Sequence, residues 1–300
     1  MTLRVLVSYH YHRDTDLAQL VDDLGGDVDL FADSGAYSAA TTGATIKVAD
    51  YAAWLKQWAP LWTVRSNLDV IGDHAGTAAN LSRLQDAGVD PLPVFHTGEP
   101  WRVLERMCEQ HRYIALGGLA LHAVGGAKQQ VLMKWLVKAF LIAREHGTVF
   151  HGFGLTSPNL IRTLPFYSVD SSSYTMGQRF GLVYLWDSRN LKMHSVFFRN
   201  PTEVRPRADM FRRHGLPASR VLDPGFYRSG TPSNHDDRTA LTGASARAYG
   251  FMEESLTRRH RVTAPPLPRH ADTGTKVYLA LAGPTRSDMD PLRLLAKETA

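Results

Sequence analysis

Residues 113–150 read YIALGGLALHAVGGAKQQVLMKWLVKAFLIAREHGTVF. The stretch opens on a short apolar run, Tyr113–Leu116, and closes on another, Val149–Phe150. Between them Val131, Leu132, Trp135, Leu136, Ala139, Phe140 and Ala143 recur at helical spacing over Lys128–His146, and Gly147 marks the helix end. Strand, long helix, strand is a βαβ unit, which makes the two strands parallel. The same unit recurs on both sides. Strands are expected upstream at Leu3–Tyr9, Val28–Ala32, Val64–Leu68 and Pro91–Phe95. Helices are expected at Asp14–Leu24, Ile46–Trp58, Thr77–Ala87 and Pro100–Gln110. Downstream, Phe166–Val169 fits a seventh strand, and Leu182–Trp186 or His194–Phe198 an eighth. Seven or eight such units predict an α/β fold, a (β/α)8 TIM barrel over residues 1–200, with a doubly wound open sheet as the competing architecture. Residues 201–300 are expected to form an Arg-rich C-terminal extension packed on the barrel or completing it. Within it, Thr257–Gly274 reads as an exposed connector and Lys276–Leu281 as one more strand.

The composition is that of a globular protein: 44% hydrophobic and 21% charged residues exclude collagen, coiled coil and bulk disorder. No run of 18 apolar residues occurs, so no membrane span is expected. The single cysteine, Cys108, excludes an internal disulfide and a cysteine-cluster zinc site. It sits in an amphipathic helix pattern, which favours packing over nucleophilic use. The start, MTLRVLVSYHYHRD, lacks the pattern of a secretory leader, and the expected location is cytoplasmic. The net charge of +5 is uneven. Residues 1–198 hold 17 Lys and Arg against 18 Asp and Glu, whereas residues 199–269 hold 13 arginines, no lysine and 7 acids. Arginine forks match phosphate geometry, so this segment points to a polyanion; a merely solvated surface is the alternative.

In a barrel, catalytic groups sit at the C-terminal strand ends. There the sequence places His10 and His12; then Asp33, Ser34 and Gly35; then Asp69 and Asp73-His74. His96, Gly117-Gly118, His151-Gly152 and Asp170 follow after later strands. Asp33 and Asp170 both end apolar strands and precede small residues that leave room for a ligand. Paired carboxylates suit double displacement at a sugar carbon, one attacking and the other exchanging protons. Helix capping is the alternative use for each. His10 and His12 alternate with tyrosines and, on a strand, project to the same side. With His151 and a later Asp they allow a metal cage and a metal-dependent hydrolase; a half-exposed strand end is the bland reading. No phosphate-loop motif, GxxxxGK[ST] or GxGxxG, is present.

Several of these stretches resemble the tRNA-guanine transglycosylase superfamily. Phe31–Tyr37 (FADSGAY) is similar to its DSGG[FY] motif, and Phe166–Tyr174 (FYSVDSSSY) to the FDSASY segment of its archaeal branch. His151-Gly152-Phe153-Gly154 with Pro158 resembles the stretch upstream of that segment. Leu116-Gly117-Gly118-Leu119-Ala120 resembles the GGLA loop, and Leu68-Asp69-Val70 the LD[IV] element. The order and spacing agree over about residues 30–180.

The resemblance implies a TIM-barrel glycosyltransferase that swaps guanine in a polynucleotide for a 7-deazaguanine base, with no cofactor and no metal. Asp170 would be the nucleophile on C1′ and Asp33 the general acid and base. Ser34, Gly35, Asp69, Gly117, Gly118, Leu119, His151 and Gly152 would bind substrate, with His96 where relatives often carry Gln. The target base must leave its stack to reach such a pocket. The chain departs from the tRNA enzymes in lacking the cysteines of their C-terminal zinc site and in carrying Ala36 as the second residue of the glycine pair. This zinc-free form is most similar to the DNA 7-deazaguanine transglycosylases (DpdA-type) of phages and DNA-modification clusters. The expected partner is therefore DNA, with tRNA as the alternative substrate. A barrel that binds nucleic acid without catalysis is a third reading, against which the two carboxylates speak.

Overall fold

A computed structural model describes residues 2–25, 27–119, 126–155, 157–228, 234–260, 266–267, 270 and 274–299. Seven strands come in the first part of the chain: β1 Leu3–Ser8, β2 Val28–Asp33, β3 Trp62–Arg65, β4 Val94–His96, β5 Tyr113–Gly117, β6 Val149–Gly152 and β7 Ser168–Ser171. β8 (Leu182–Asp187) and β9 (Lys192–Phe197) follow, and β10 is Lys276–Leu281. Eight strands form one parallel sheet in the order β3-β2-β1-β10-β7-β6-β5-β4. Helices connect most of them, and both faces of the sheet are covered. That is why β1 reads LRVLVS with every residue buried.

The sheet is strongly curled. β2 and β6 stand four places apart in the order, which in a flat sheet separates them by about 19 Å. Yet the Phe31 ring lies 4.5 Å from His151 and 5.2 Å from Tyr278. Alternate residues Leu6, Phe31, Val64, Val94, Tyr113, Ala115 and Tyr278 share one inner core with Tyr167. The other set, with Leu3, Val5, Val7 and Leu30, packs outward on the helices. The result is a half-barrel of TIM-like α/β type. Just after β3 and just before β4, Ser66 and Leu92 form an isolated parallel bridge, where Leu92 N–H donates to Arg65 O (2.6 Å) and Asn67 N–H to Leu92 O (3.0 Å).

The eighth strand differs from expectation. Leu182–Trp186 and His194–Phe198 do not enter the sheet; β8 and β9 pair antiparallel as a separate ribbon. The strand between β1 and β7 is instead β10, from the C-terminal part of the chain. A tight turn at residues 188–191 can join antiparallel strands only, whereas a parallel return needs a crossover helix. Asn234–Thr257 supplies it, a 24-residue helix that the sequence reading did not anticipate. The ribbon, the short helices of residues 201–221 and this helix enclose a second small core around Phe198, Phe211, Phe226 and Leu241. Much of the connector expected at Thr257–Gly274 (261–265, 268–269 and 271–273) lies outside the described residues. Among the described residues no helix is long and apolar enough to cross a membrane.

Candidate active site

Strand register brings the expected residues to one edge. Ser8 pairs with Asp33, His96 with Gly117, Gly152 with Val169, and Asp170 with Tyr278. The C-terminal ends of β1, β2, β4, β5, β6, β7 and β10 are thus level, and Asp170 and Asp69 stand near enough to Asp33 there for their charges to act on it.

Asp33 ends β2 and begins a tight turn. Its Oδ2 accepts from Gly35 N–H at 2.9 Å, and Ser34 Oγ accepts from Ala36 N–H at 3.3 Å. Gly35 has φ +74, and a Cβ there would lie 2.6 Å from His10 Cβ and collide with Ser8 Oγ, so a glycine is required. The helix that follows, Ala36–Thr42, takes Gly35 as its N-cap, so the capping alternative for Asp33 does not hold. Burial first, then the charges of Asp170 and Asp69, raise the Asp33 carboxyl to about 7 against the Gly35 and Ser34 N–H groups that lower it. The carboxyl therefore holds its proton into the neutral range.

Asp170 sits in β7, nearly buried, and caps nothing either: the next helical turn, Ser173–Thr175, begins from Ser172. Asp170 Oδ1 accepts from Gly154 N–H at 2.8 Å and lies 3.3 Å from His151 Nε2. His151 Nδ1 lies 2.7 Å from Ser168 Oγ, which is 2.5 Å from the Tyr113 hydroxyl. Burial lowers the His151 pKa more than Asp170 raises it, so the ring is neutral. His151 is fully enclosed and so stands behind Asp170, away from any substrate.

Asp69 follows β3 and faces His96, with Oδ2 3.0 Å from Nε2. The other ring nitrogen, Nδ1, lies 3.1 Å from Glu99 Oε1, which also accepts from the His96 N–H at 3.1 Å. Burial alone would lower the His96 pKa, but the hydrogen bonds and charges of Asp69 and Glu99 outweigh it and raise it to about 9. The ring is an imidazolium clamped between two carboxylates. It lies flat against Gly117, where a Cβ would stand 2.5 Å from Cδ2. Among the described residues Asp69 Oδ1 is buried with no partner, as are Asn67 Oδ1 and Ser8 Oγ. A buried acceptor in that state calls for a donor that the described residues do not supply.

Gly118, at φ +76, backs onto Thr97, and Leu119 is buried beside it. Gly152 packs against Phe166 and Leu155, so its small size serves the interior. Glu99, Ser168 and Tyr113 were not singled out by the sequence reading. Glu99 stood three residues beyond His96 on the same edge, which was a usable signal.

The His-x-His reading is corrected. The first strand stops at Ser8, and Tyr9–His12 is a single helical turn. Residues two apart on a helix do not share a side. His12 turns inward, with Nε2 3.3 Å from Leu281 O, while His10 rests edge-on against Tyr11. Among the described residues no group of three or more His, Cys, Asp or Glu side chains could hold a metal ion. Cys108 is buried in the helix Trp101–Gln110, and burial pushes its thiol up to about 11, the state of a packing residue.

No family model, curated protein or solved structure matches the chain.

Proposed function

We propose that the chain is a transglycosylase that exchanges guanine in DNA for a 7-deazaguanine base through a covalent glycosyl-aspartate. The observation that carries the reading is the pair Asp33 and Asp170, which lie on one edge of the sheet, close enough to interact, in opposite settings. Asp33 is half-buried, its carboxyl is largely desolvated and it is crowded by negative charge, so it holds a proton to about 7. Asp170 is gripped on one oxygen by two N–H groups, an arrangement that stabilises negative charge. Such divergent environments assign acid and nucleophile.

The steps follow from that assignment. Asp170 attacks C1′ of the target nucleotide through a carboxylate oxygen. The C1′–N9 bond breaks, and the leaving guanine takes the Asp33 proton. The incoming base then gives its N9 proton to the Asp33 carboxylate, N9 bonds to C1′, and the Asp170–C1′ bond breaks. Both carboxyl groups are restored, and no oxidant or cofactor is consumed. The unpartnered Asp69 Oδ1, steadied by His96, suits the N–H edge of a guanine-like base, and the backbone at Gly117–Leu119 would line the same pocket.

We read the curled sheet as a closed (β/α)8 barrel, joined by the Arg65–Leu92–Asn67 hydrogen bonds. The arginines of residues 199–269, on the segment leading to β10, would track phosphates. The proposed setting is cytoplasmic, and exchange on tRNA is the alternative.

Incorporation of a labelled 7-deazaguanine base into duplex DNA and into unmodified tRNA, side by side, tests this. Label in DNA that disappears in Asp170→Asn, with polymer binding retained, is the expected result. Label in tRNA alone would move the substrate, and exchange that survives Asp170→Asn would refute the nucleophile.

A further inference from the structure

The proposed reaction uses Asp170 but gives no task to three buried polar groups behind it. His151, Ser168 and Tyr113 form an unbroken chain: Tyr113 Oη to Ser168 Oγ 2.5 Å, Ser168 Oγ to His151 Nδ1 2.7 Å, His151 Nε2 to Asp170 Oδ1 3.3 Å. His151 and Ser168 are completely enclosed, and Tyr113 is nearly so. His151 and Ser168 are register partners on β6 and β7, and so the sheet itself holds them together.

The protons in this chain can be assigned. With Asp170 ionised, a bare Nε2 would set lone pair against lone pair, so Nε2 carries the hydrogen. A neutral imidazole has one N–H, so Nδ1 accepts. The acceptor needs a donor, and Ser168 O–H supplies it. Ser168 Oγ then accepts from the Tyr113 phenol. Burial pushes that phenol well above its ordinary pKa and holds His151 neutral, so neither end leaks a proton near pH 7. Every N–H and O–H in the chain points toward Asp170.

We infer that Tyr113, Ser168 and His151 are positioning residues that fix the Asp170 carboxylate, holding Oδ1 and presenting Oδ2 as the oxygen that bonds to the sugar. Gly154 N–H grips the same Oδ1 at 2.8 Å, and among the described residues Oδ2 accepts from none. The inference rests on the reading of Asp170 as nucleophile. In that reaction Oδ2 forms the ester bond and Oδ1 becomes its carbonyl oxygen. When N9 of the incoming base attacks C1′, the Oδ2–C1′ bond pair returns to the carboxylate. His151 Nε2–H and Gly154 N–H then meet the returning charge, and His151 itself transfers no proton. Packing does not explain the chain. His151 lies among Phe31, Phe153 and Tyr278, at 4.5, 4.5 and 6.4 Å, where an apolar side chain would fill the space without the cost of enclosing three polar groups.

Two readouts test the relay, one of them independent of catalysis. In 15N NMR of the imidazoles, wild-type His151 is expected as the Nε2–H tautomer from pH 5 to 8, and Ser168→Ala is expected to shift its Nδ1 resonance. In exchange assays, Ser168→Ala and Tyr113→Phe should lower kcat by about ten- to a hundredfold, with KM for the free base within about twofold. His151→Gln, which keeps an N–H donor, should retain more activity than His151→Leu. If the wild type exchanges base and kcat is unchanged in Ser168→Ala, the relay is overturned while the exchange reading stands. If the wild type exchanges nothing, the exchange reading fails, and the NMR decides the relay alone: a protonated Nδ1 overturns it and the Nε2–H form upholds it.

Discussion

Asp33→Asn removes the carboxyl held at about 7 and keeps an oxygen for the Gly35 N–H. The sign follows from linkage. The folded chain binds this proton more tightly than the unfolded chain, whose carboxyl titrates near 3.8. Stability is therefore lost as pH rises from the unfolded value through the folded one, and the loss is complete above about 7. Relative to the uncharged Asn, wild-type Asp33 destabilises the fold by about 2 kcal/mol at pH 5 and about 4 kcal/mol at pH 8.5, at about 1.36 kcal/mol per pKa unit. Because Asp33 is only half-buried, solvent screens part of this, leaving a difference between the two pH values of about 2 kcal/mol. Urea unfolding of both proteins at the two pH values measures it. Asp33→Asn is expected to be the more stable protein, by a margin that widens in alkali. A margin equal at both pH values would mean that Asp33 ionises like an ordinary surface carboxyl, and its role as acid would lose its basis.

Glu99→Gln removes one of the two carboxylates that raise the His96 pKa to about 9, so the His96 C2-proton titration should move down by about a unit. Because a raised imidazole pKa stabilises the fold below about 6.5 and that gain is lost through about 9, the same variant should lose more stability at pH 6 than at pH 10. Gly117→Ala drives a methyl to 2.5 Å from the His96 ring and should cost about 1–3 kcal/mol in chemical denaturation; a neutral effect would show that the ring is free to move. Arg4→Met strands Asp29 and Glu253, which Arg4 meets at 3.3 and 3.2 Å, and should cost about 3–5 kcal/mol. Polymer binding should weaken steeply with salt if the arginines of residues 199–269 contact phosphates, and a flat response would remove them from the interface.

The sheet was largely legible in the sequence because strands buried on both faces are short apolar runs, and Leu3–Ser8 and Tyr113–Gly117 could be nothing else. Boundaries slipped where polar residues continue the strand. β7 runs through Ser168–Ser171, two residues later than its apolar signal, because its inward groups are the hydrogen-bonded ones. β10 was visible as a strand of an extension that either packs on the barrel or completes it, but its place between β1 and β7 was not, since that depends on the helix Asn234–Thr257. The middle of that helix, Thr242-Gly243-Ala244-Ser245-Ala246, is buried yet has no apolar stripe to betray it. Small residues let it approach: a Cβ at Gly243 would stand 3.2 Å from Leu294. In the site, Asp33, Asp69, His96 and Asp170 announced themselves at strand ends. Ser168 and Tyr113 did not, because their alignment with His151 exists only in the cross-strand register.

The two ends of the half-barrel treat polar atoms differently, and the contrast bears on where a ligand binds. At the N-terminal end Asp29 is surrounded by Arg4, by His270 Nε2 at 2.7 Å and by the Tyr278 hydroxyl at 3.0 Å. Tyr167 closes the ring through His270 Nδ1 at 2.7 Å, and Glu253 takes both Arg4 and the Val277 N–H. Opposite charges are matched there, and Asp29 stays ionised: burial raises its pKa, but His270 and Arg4 outweigh that and lower it. At the C-terminal end the charges of Asp170 and Asp69 raise the Asp33 carboxyl, and among the described residues Asp69, Asn67 and Ser8 each keep a buried oxygen without a partner. A fold selected for stability alone would have paired these atoms as it paired Asp29. The unbalanced end is the one at which the proposed exchange places a guest that brings N–H donors and accepts a proton from Asp33.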